Sequence, residues 1–234
     1  MKILITCAVW KRPEIFQIMT TGLQRMRGLM DSLGIETQVL FILDPTDEAN
    51  IQHVHAMTET DWNILHTVIS NDMPLGERMN RAMLEADGLD WDYMMQIGSD
   101  DLITDSGVLA LCSYALAGCP FFGFVQIWFV CSVTREMKQF RTSGTFGAGR
   151  MISRGLVEKT HCLWDPRQVS GLDNMMQANV YGACEVHPQI VNTHRAQVFD
   201  IKSAVNINAF NKQTRKLYPL DVTLCPELKY VLDL

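Results

Sequence analysis

The run Trp91 to Thr104, WDYMMQIGSDDLIT, is apolar and strand-like until Gly98, then turns abruptly polar at Ser99, Asp100 and Asp101. Adjacent carboxylates at the carboxyl end of a strand put fixed negative charge where open α/β sheets bind ligands, and they are hard oxygen donors for a divalent cation. The same pair would equally cap a helix starting near Asp105, and the residues alone leave both readings open. A second stretch, Arg141 to Arg150 (RTSGTFGAGR), is glycine-rich and lacks periodicity, so it reads as a loop over a ligand. There Gly144, Gly147 and Gly149 permit close backbone approach, and Arg150 with Arg154 offers cations for phosphate, unless the glycines serve only a tight turn. Gly76 opens a helical stretch whose N-terminus suits phosphate, with Arg78 as the charge partner or as an ordinary solvated arginine.

The elements that must position these residues alternate between strand and helix patterns. Lys2 to Val9 is β-like, and Pro13 to Leu33 carries apolar residues at helical spacing (Ile15, Phe16, Met19, Leu23, Met26, Met30) before Gly34 stops it. Thr37 to Leu43 reads as a buried strand ending in the turn cluster Asp44 to Asp47, Trp62 to Ser70 as another strand, and Pro74 to Asp87 as a helix. Such alternation predicts an α/β fold with a mostly parallel central sheet and a ligand crevice beyond the strand ends. Three of those ends are polar: Trp10 to Arg12, Asp44 to Asp47, and Ser99 to Asp101. Beyond them the expected elements are a helix over Ser106 to Ala117, a long strand run over Phe121 to Val133, and helices at Met151 to Thr160 and Asp173 to Val180. Strands near Ala183 to Val191 and Val198 to Ser203 complete the pattern.

With 234 residues and 47% hydrophobic content, the chain can build one substantial core and is short for two, so one domain is expected over 1–234, with a soft border near residue 104 between its halves 1–104 and 105–234. No apolar run approaches the roughly 18 to 20 residues that span a bilayer, so no membrane insertion is expected. Seven scattered cysteines with no C-x-x-C spacing indicate neither a disulfide framework nor a zinc cage and fit a reducing cytoplasm. The net charge of -6 hides an asymmetry: residues 1–117 hold 7 basic and 17 acidic residues, whereas residues 118–216 hold 12 and 6. Basic residues there such as Lys138, Arg141, Arg150, Arg154, Lys159, Arg167, Arg195 and Lys202 would face an anionic ligand, or simply water.

Six segments in order resemble small glycosyltransferases of the GT-A fold, in the broad family-2-like group: CAVWKRPEIF, LDPTDEAN, NDMPLGERMNRAM, MMQIGSDDL, SGTFGAGRMISR, and LWDPRQVSGLDNMM followed by a late VNTH. The resemblance covers most of the chain and implies a three-layer, Rossmann-like fold with a nucleotide-sugar-binding first half and an acceptor-binding second half. It also implies a divalent metal, Mn²⁺ favoured and Mg²⁺ the alternative, with Asp101 and His194 as ligands. Asp100 is then expected to contact sugar or ribose, Asp44 to accept the uracil N3 proton unless it serves only the turn before Pro45, and Ala8, Trp10 and Arg12 to pack around the base, with Arg78 completing the donor site. The resemblance places Asp173 as general base on the acceptor side, with helix capping its structural alternative, beside Trp164 as an aromatic wall or equally a buried tryptophan with a turn. The family motif is Asp-any-Asp, whereas this chain has Ser99 two before Asp101 and Gly98 where related sequences often carry another Asp.

Together these readings describe a metal-dependent enzyme moving a sugar from a UDP-sugar or related donor to a hydroxyl acceptor with inversion. The acceptor is a glycan, a small molecule, or a hydroxymethylated pyrimidine in DNA, the last because some stand-alone phage enzymes that decorate such bases resemble this chain. DNA would need the basic residues to form one continuous face and the base to be flipped out; a phage enzyme would work in the host cytoplasm. The alternatives from other classes are a sugar-phosphate nucleotidyltransferase, disfavoured because CAVWKRPEI lacks a glycine-rich loop, and a non-catalytic nucleotide-sugar-binding module.

Overall fold

The computed structural model describes residues 1–169, 171–191, 197–204, 210 and 215–234. The first half alternates as expected: β1 (Lys2–Ala8), α1 (Pro13–Ser32), β2 (Glu36–Leu43), α2 (Glu48–Thr58), β3 (Ile64–Val68), α3 (Leu75–Glu85) and β4 (Tyr93–Gly98). After a two-residue turn come β5 (Asp101–Ile103), α4 (Asp105–Leu116), β6 (Phe121–Gly123), β7 (Gln126–Cys131), β8 (Glu136–Arg141), β9 (Arg150–Ser153) and α5 (Arg154–Thr160). Then follow α6 (Leu172–Cys184), β10 (Gln189–Ile190), β11 (Val198–Lys202), β12 (Leu217–Pro219) and a 3-10 helix, Pro226–Asp233.

Among the described residues these strands form two sheets, ordered β10-β6-β9-β4-β1-β2-β3 and β12-β8-β7-β11-β5. In the first, β3, β2, β1 and β4 are parallel, and β9 joins β4 antiparallel. The chain winds outward from β1 to β3 and then returns to β4 on the other side of β1. That reversal is the switch point at which open α/β sheets form their ligand crevice, and Ala8 lies in register with Gly98 at its mouth.

Both faces of this sheet are covered, which explains why its central strands are continuous apolar runs. Ile3, Ile5, Val39 and Phe41 pack with Phe16, Met19, Leu23 and Met26 of α1 on one face, while Leu4, Leu40, Ile42 and Met94 meet Met79, Ala82 and Trp164 on the other. The alternation of odd and even positions between the two clusters is the period of a strand. A third cluster joins Leu102, Phe199 and Ile201 of the second sheet to Ile15 and Ile18 of α1 and to Leu228 and Val231 near the chain's end.

Several expected elements are different in the structure. The run Phe121 to Val133 is two strands, because the chain leaves the first sheet after Gly123 and enters the second at Gln126. Residues Met151 to Ser153 belong to a strand, paired with β4, and only Arg154–Thr160 is helical. The region Ala183 to Val191 holds just the short strand β10, because α6 continues to Cys184. Helix α2 and the polar strand β8 had no apolar periodicity to announce them.

A partly buried ion pair ties the second sheet to α1. Arg25 donates from Nε to Glu227 Oε1 at 2.8 Å and from Nη2 to the Ile103 carbonyl at 2.8 Å, so one guanidinium ties the 3-10 helix to the end of β5. Burial opposes ionisation of Glu227, but its hydrogen bond to Arg25 prevails and holds the carboxyl below its ordinary value of 4.5. A depressed carboxyl pKa contributes stability that is present above the ordinary value and lost as the pH falls through the folded one. Glu227→Ala should therefore cost roughly 3 kcal/mol at neutral pH, with the gap to the native chain narrowing below about pH 4.5. Urea denaturation across that range checks both the size and the direction.

Candidate active site

The mouth of the switch point is a cleft of about 260 Å³ lined by Ala8, Trp10, Arg12, Gln96, Gly98, Ser99, Asp100, Asp101, Gly147 and Asp173, among others. The sharp turn between β4 and β5 presents the carboxylates. The Gly98 amide donates to Asp101 Oδ2 at 2.6 Å, and a Cβ on Gly98 would stand 2.7 Å from that oxygen and 3.1 Å from Asp100 Oδ1. A side chain at 98 would therefore displace both acids. Thr104 caps α4 by accepting from the Gly107 amide, so helix capping does not explain Asp100 and Asp101.

A third carboxylate joins them from a distant part of the sequence. β11 pairs antiparallel with β5 so that Asp200 lies opposite Asp101, and ligand oxygens of Asp100, Asp101 and Asp200 lie within 4.8 Å of one another. Burial first, then Asp200 and Asp100, push the Asp101 carboxyl well above the usual range. Asp200 is pushed up to about 7 by burial and by Asp100, with Lys202 opposing. Among the described residues two cations offset this charge: Arg12 donates to Asp100 at 2.9 Å, and Lys202 Nζ lies 2.5 Å from Asp200 Oδ1 and 3.7 Å from Asp100 Oδ2.

Arg12 is aimed by strained backbone. Lys11 and Arg12 both have positive φ, 43° and 55°, a conformation that costs a non-glycine residue about 1–2 kcal/mol. The loop is held there by Asp47, which accepts from the Lys11 amide, and by Asn50, which donates to the Lys11 carbonyl and to Asp47.

At the end of β2, Asp44 is buried and its carboxylate accepts three hydrogen bonds. It accepts from the Thr46 amide and hydroxyl and from the Asn71 amide; burial opposes its ionisation, but these bonds and Arg78 hold its pKa below the ordinary value. Arg78 is also buried and binds Asn71, while its Nε and Nη2 have no partner among the described residues. Gly76 itself is closely packed: a Cβ there would meet the Asp165 carbonyl at 2.1 Å, so this glycine serves packing against the 165–168 segment, while Leu75 and Met79 of the same helix line the cleft.

Across the cleft, Asp173 stands in the first turn of α6, where Gly171 occupies the capping position, so Asp173 is not the cap. Its Oδ1 is 3.5 Å from Nη1 of Arg150. Arg150 is wholly buried, donates to the hydroxyl and carbonyl of Thr145, and is lowered to about 10 by burial, Asp173 opposing. It therefore clamps the 142–149 loop and Asp173 instead of presenting a cation to a ligand. Gly149, at φ 75°, packs against Phe124 and Ile103, so its role is conformational.

Two residues placed at the site from sequence lie elsewhere. Arg154 sits at the opposite end of β4, where its amide donates to the Asp92 carbonyl and its side chain pairs with Glu158 and lies over Trp91. Trp164 is wholly buried in the core beneath α3 and forms no wall of the cleft. His194 lies outside the described residues. Asp200 and Lys202 were missed as a pair; the signal was an acid and a base two apart inside the apolar strand VFDIK, an arrangement a buried strand does not tolerate without partners.

No family model and no curated protein matches the chain. Solved structures of S. aureus TarS do: one superposes with a TM-score of 0.62 at 11% identity over 86% of this chain and 37% of that one. TarS 1–349 in complex with UDP-GlcNAc gives 0.60 at 12% over 86% and 59%, and its complex with UDP gives 0.58 at 12% over 89% and 63%. The fold is that of the GT-A class, a Rossmann-type mixed α/β architecture, and the chain spans less than two thirds of these neighbours.

A raised carboxyl pKa destabilises the folded state at every pH above the ordinary value of 3.8, increasingly so until the folded pKa is reached. In EDTA, Asp101→Asn keeps an oxygen for the Gly98 amide and removes the charge. It should raise the melting temperature by several degrees at about pH 8, at about 2–4 °C per kcal/mol, with the gain vanishing near pH 4. A lower melting temperature at pH 8 would contradict the repulsion inferred for the cluster.

Proposed function

We propose that the chain is a nucleotide-sugar-dependent glycosyltransferase that moves a sugar from a nucleoside diphosphate donor, UDP favoured, to a hydroxyl acceptor. The observation that carries this reading is the order of groups across the switch point. Asp44, beside Arg78, lies at the end of β2, the three-carboxylate cluster at the end of β4, and Asp173 across the cleft that Asp100 and Asp101 line. Binding of UDP-GlcNAc and UDP by TarS, which shares the fold, supports the choice of donor.

In this reading Asp44 and Arg78 recognise the base, with Ala8 and Trp10 beside it, and Arg12 faces the diphosphate. Three carboxylates are hard oxygen donors that fit a divalent cation, so Asp101 and Asp200, with Asp100, would hold it. These oxygens suit Mg²⁺ as well as Mn²⁺; the preference for Mn²⁺ rests on His194. The cation would supply Lewis-acid neutralisation of the charge that grows on the leaving diphosphate. Asp173 takes the proton of the acceptor hydroxyl as that oxygen attacks the anomeric carbon, and attack from the face opposite the leaving group gives inversion. Arg150 fixes the position of that carboxylate through their 3.5 Å contact.

The acceptor we favour is a glycan or small molecule and not DNA. Of the basic residues in the second half, Lys138 and Arg150 are buried and Lys202 belongs to the acidic cluster, so these three do not contribute to a continuous basic face. Such a face is what duplex binding requires.

A thermal-shift screen of nucleoside diphosphates and nucleotide sugars, with and without Mn²⁺, tests the reading. A UDP-sugar should stabilise the chain in a metal-dependent way, and Asp101→Ala should abolish that dependence; retention of it would refute the assignment. Asp173→Asn should keep donor binding while lowering transfer by about 10²–10⁴-fold.

A further inference from the structure

The acidic cluster carries its own cation, and that cation is placed by the same strand that supplies one of the acids. Asp200 and Lys202 are two residues apart on β11, so their side chains share one face of the strand. The antiparallel pairing of β11 with β5 turns that face toward Asp101, and the Ile201 amide donates to the Asp100 carbonyl at 2.8 Å, which fixes the turn against the strand. Lys202 is 12% exposed at its side chain, with Nζ 2.5 Å from Asp200 and 3.7 Å from Asp100. The ammonium also lies 5.1 Å from the centre of the Phe129 ring, whose face favours a cation.

This is a built seat with two carboxylates and an aromatic face around one ammonium. Arg12 differs, because it reaches Asp100 alone and comes from the strained loop after β1. A divalent ion held by the same carboxylates would sit about 2.0–2.6 Å from their oxygens. It would then be pressed against a like charge already within 2.5 Å of Asp200. Both cannot occupy the cluster.

We propose that Lys202 is the internal counter-ion of this site: it holds Asp100 and Asp200 in the metal-free protein, must leave them for a divalent cation to bind, and so sets the metal affinity of the site. The proposal rests on the reading of Asp100, Asp101 and Asp200 as metal ligands. A lysine suits the role because its ammonium is a compact charge on a flexible stem that can swing away, whereas an arginine fork would remain bound to the acids in two-point contact.

Mn²⁺ binding to the full chain, followed by the electron paramagnetic resonance signal of free Mn²⁺, is the direct test. Lys202→Met and Lys202→Gln should bind Mn²⁺ at least tenfold more tightly than the native chain, while Lys159→Met, at an exposed helical lysine, should match it. An unchanged affinity in the Lys202 variants, with Asp101→Asn losing Mn²⁺, would overturn the proposal and leave the metal site standing. Absence of Mn²⁺ binding in all forms would overturn both. A second measurement needs no variant: reductive methylation of the native chain, quantified by peptide mass spectrometry, should modify Lys202 several-fold faster with saturating Mn²⁺ than in EDTA. Equal rates would count against displacement of the ammonium even if the variants fail to fold.

Discussion

Three carboxylates held within 4.8 Å of one another in a largely buried site repel, and the loop after β1 and strand β11 deliver cations that bring that repulsion under control. Coulomb energy between like charges at such separations grows severalfold when water is excluded. Arg12 and Lys202 supply two positive charges to the three acids, and each is delivered by a feature that carries a cost. Arg12 needs two consecutive left-handed residues, and Lys202 needs an ion pair inside an apolar strand. Such costs are expected where geometry serves chemistry instead of stability.

The two-sheet architecture makes the cluster. A single doubly wound sheet would offer Asp100 and Asp101 at the end of β4 and nothing opposite them. The turn after Gly98 carries the chain from the first sheet into the second, where β5 meets β11 and thereby Asp200. Arg25 and Glu227 then anchor β5 against α1, so the far end of the chain helps fix the site. On the other side of the cleft, the buried Arg150 does comparable work, joining the 142–149 loop to Asp173.

How much of this was legible in sequence follows from where the forces are local. Apolar runs and their punctuation revealed β1, α1, β2, α3 and β4, because a strand buried on both faces and an amphipathic helix each leave a periodic trace. The polar strand ends at Trp10 to Arg12 and at Asp100 line one cleft, since the switch point follows from alternation and handed crossovers, whereas Asp44 lies at the end of β2 outside that lining. What the sequence concealed depends on tertiary pairing. Nothing local distinguishes Phe121–Gly123 from Gln126–Cys131 as members of different sheets, and Asp200 becomes a partner of Asp101 only through the β5–β11 register. Arg150 and Arg154 look alike in the sequence, yet one is sealed inside the loop clamp and the other lies at the opposite end of β4.

In the proposed function a nucleoside diphosphate lies across the switch point with its base at Asp44 and its phosphates at the acidic cluster. A crystal structure of the chain soaked with UDP and Mn²⁺ tests it most directly. The account predicts the uracil against Asp44 and Arg78 and the ion bound by Asp101 and Asp200 between protein and diphosphate. UDP or Mn²⁺ bound elsewhere on the molecule, with the cleft at the ends of β1 and β4 left empty, would contradict it.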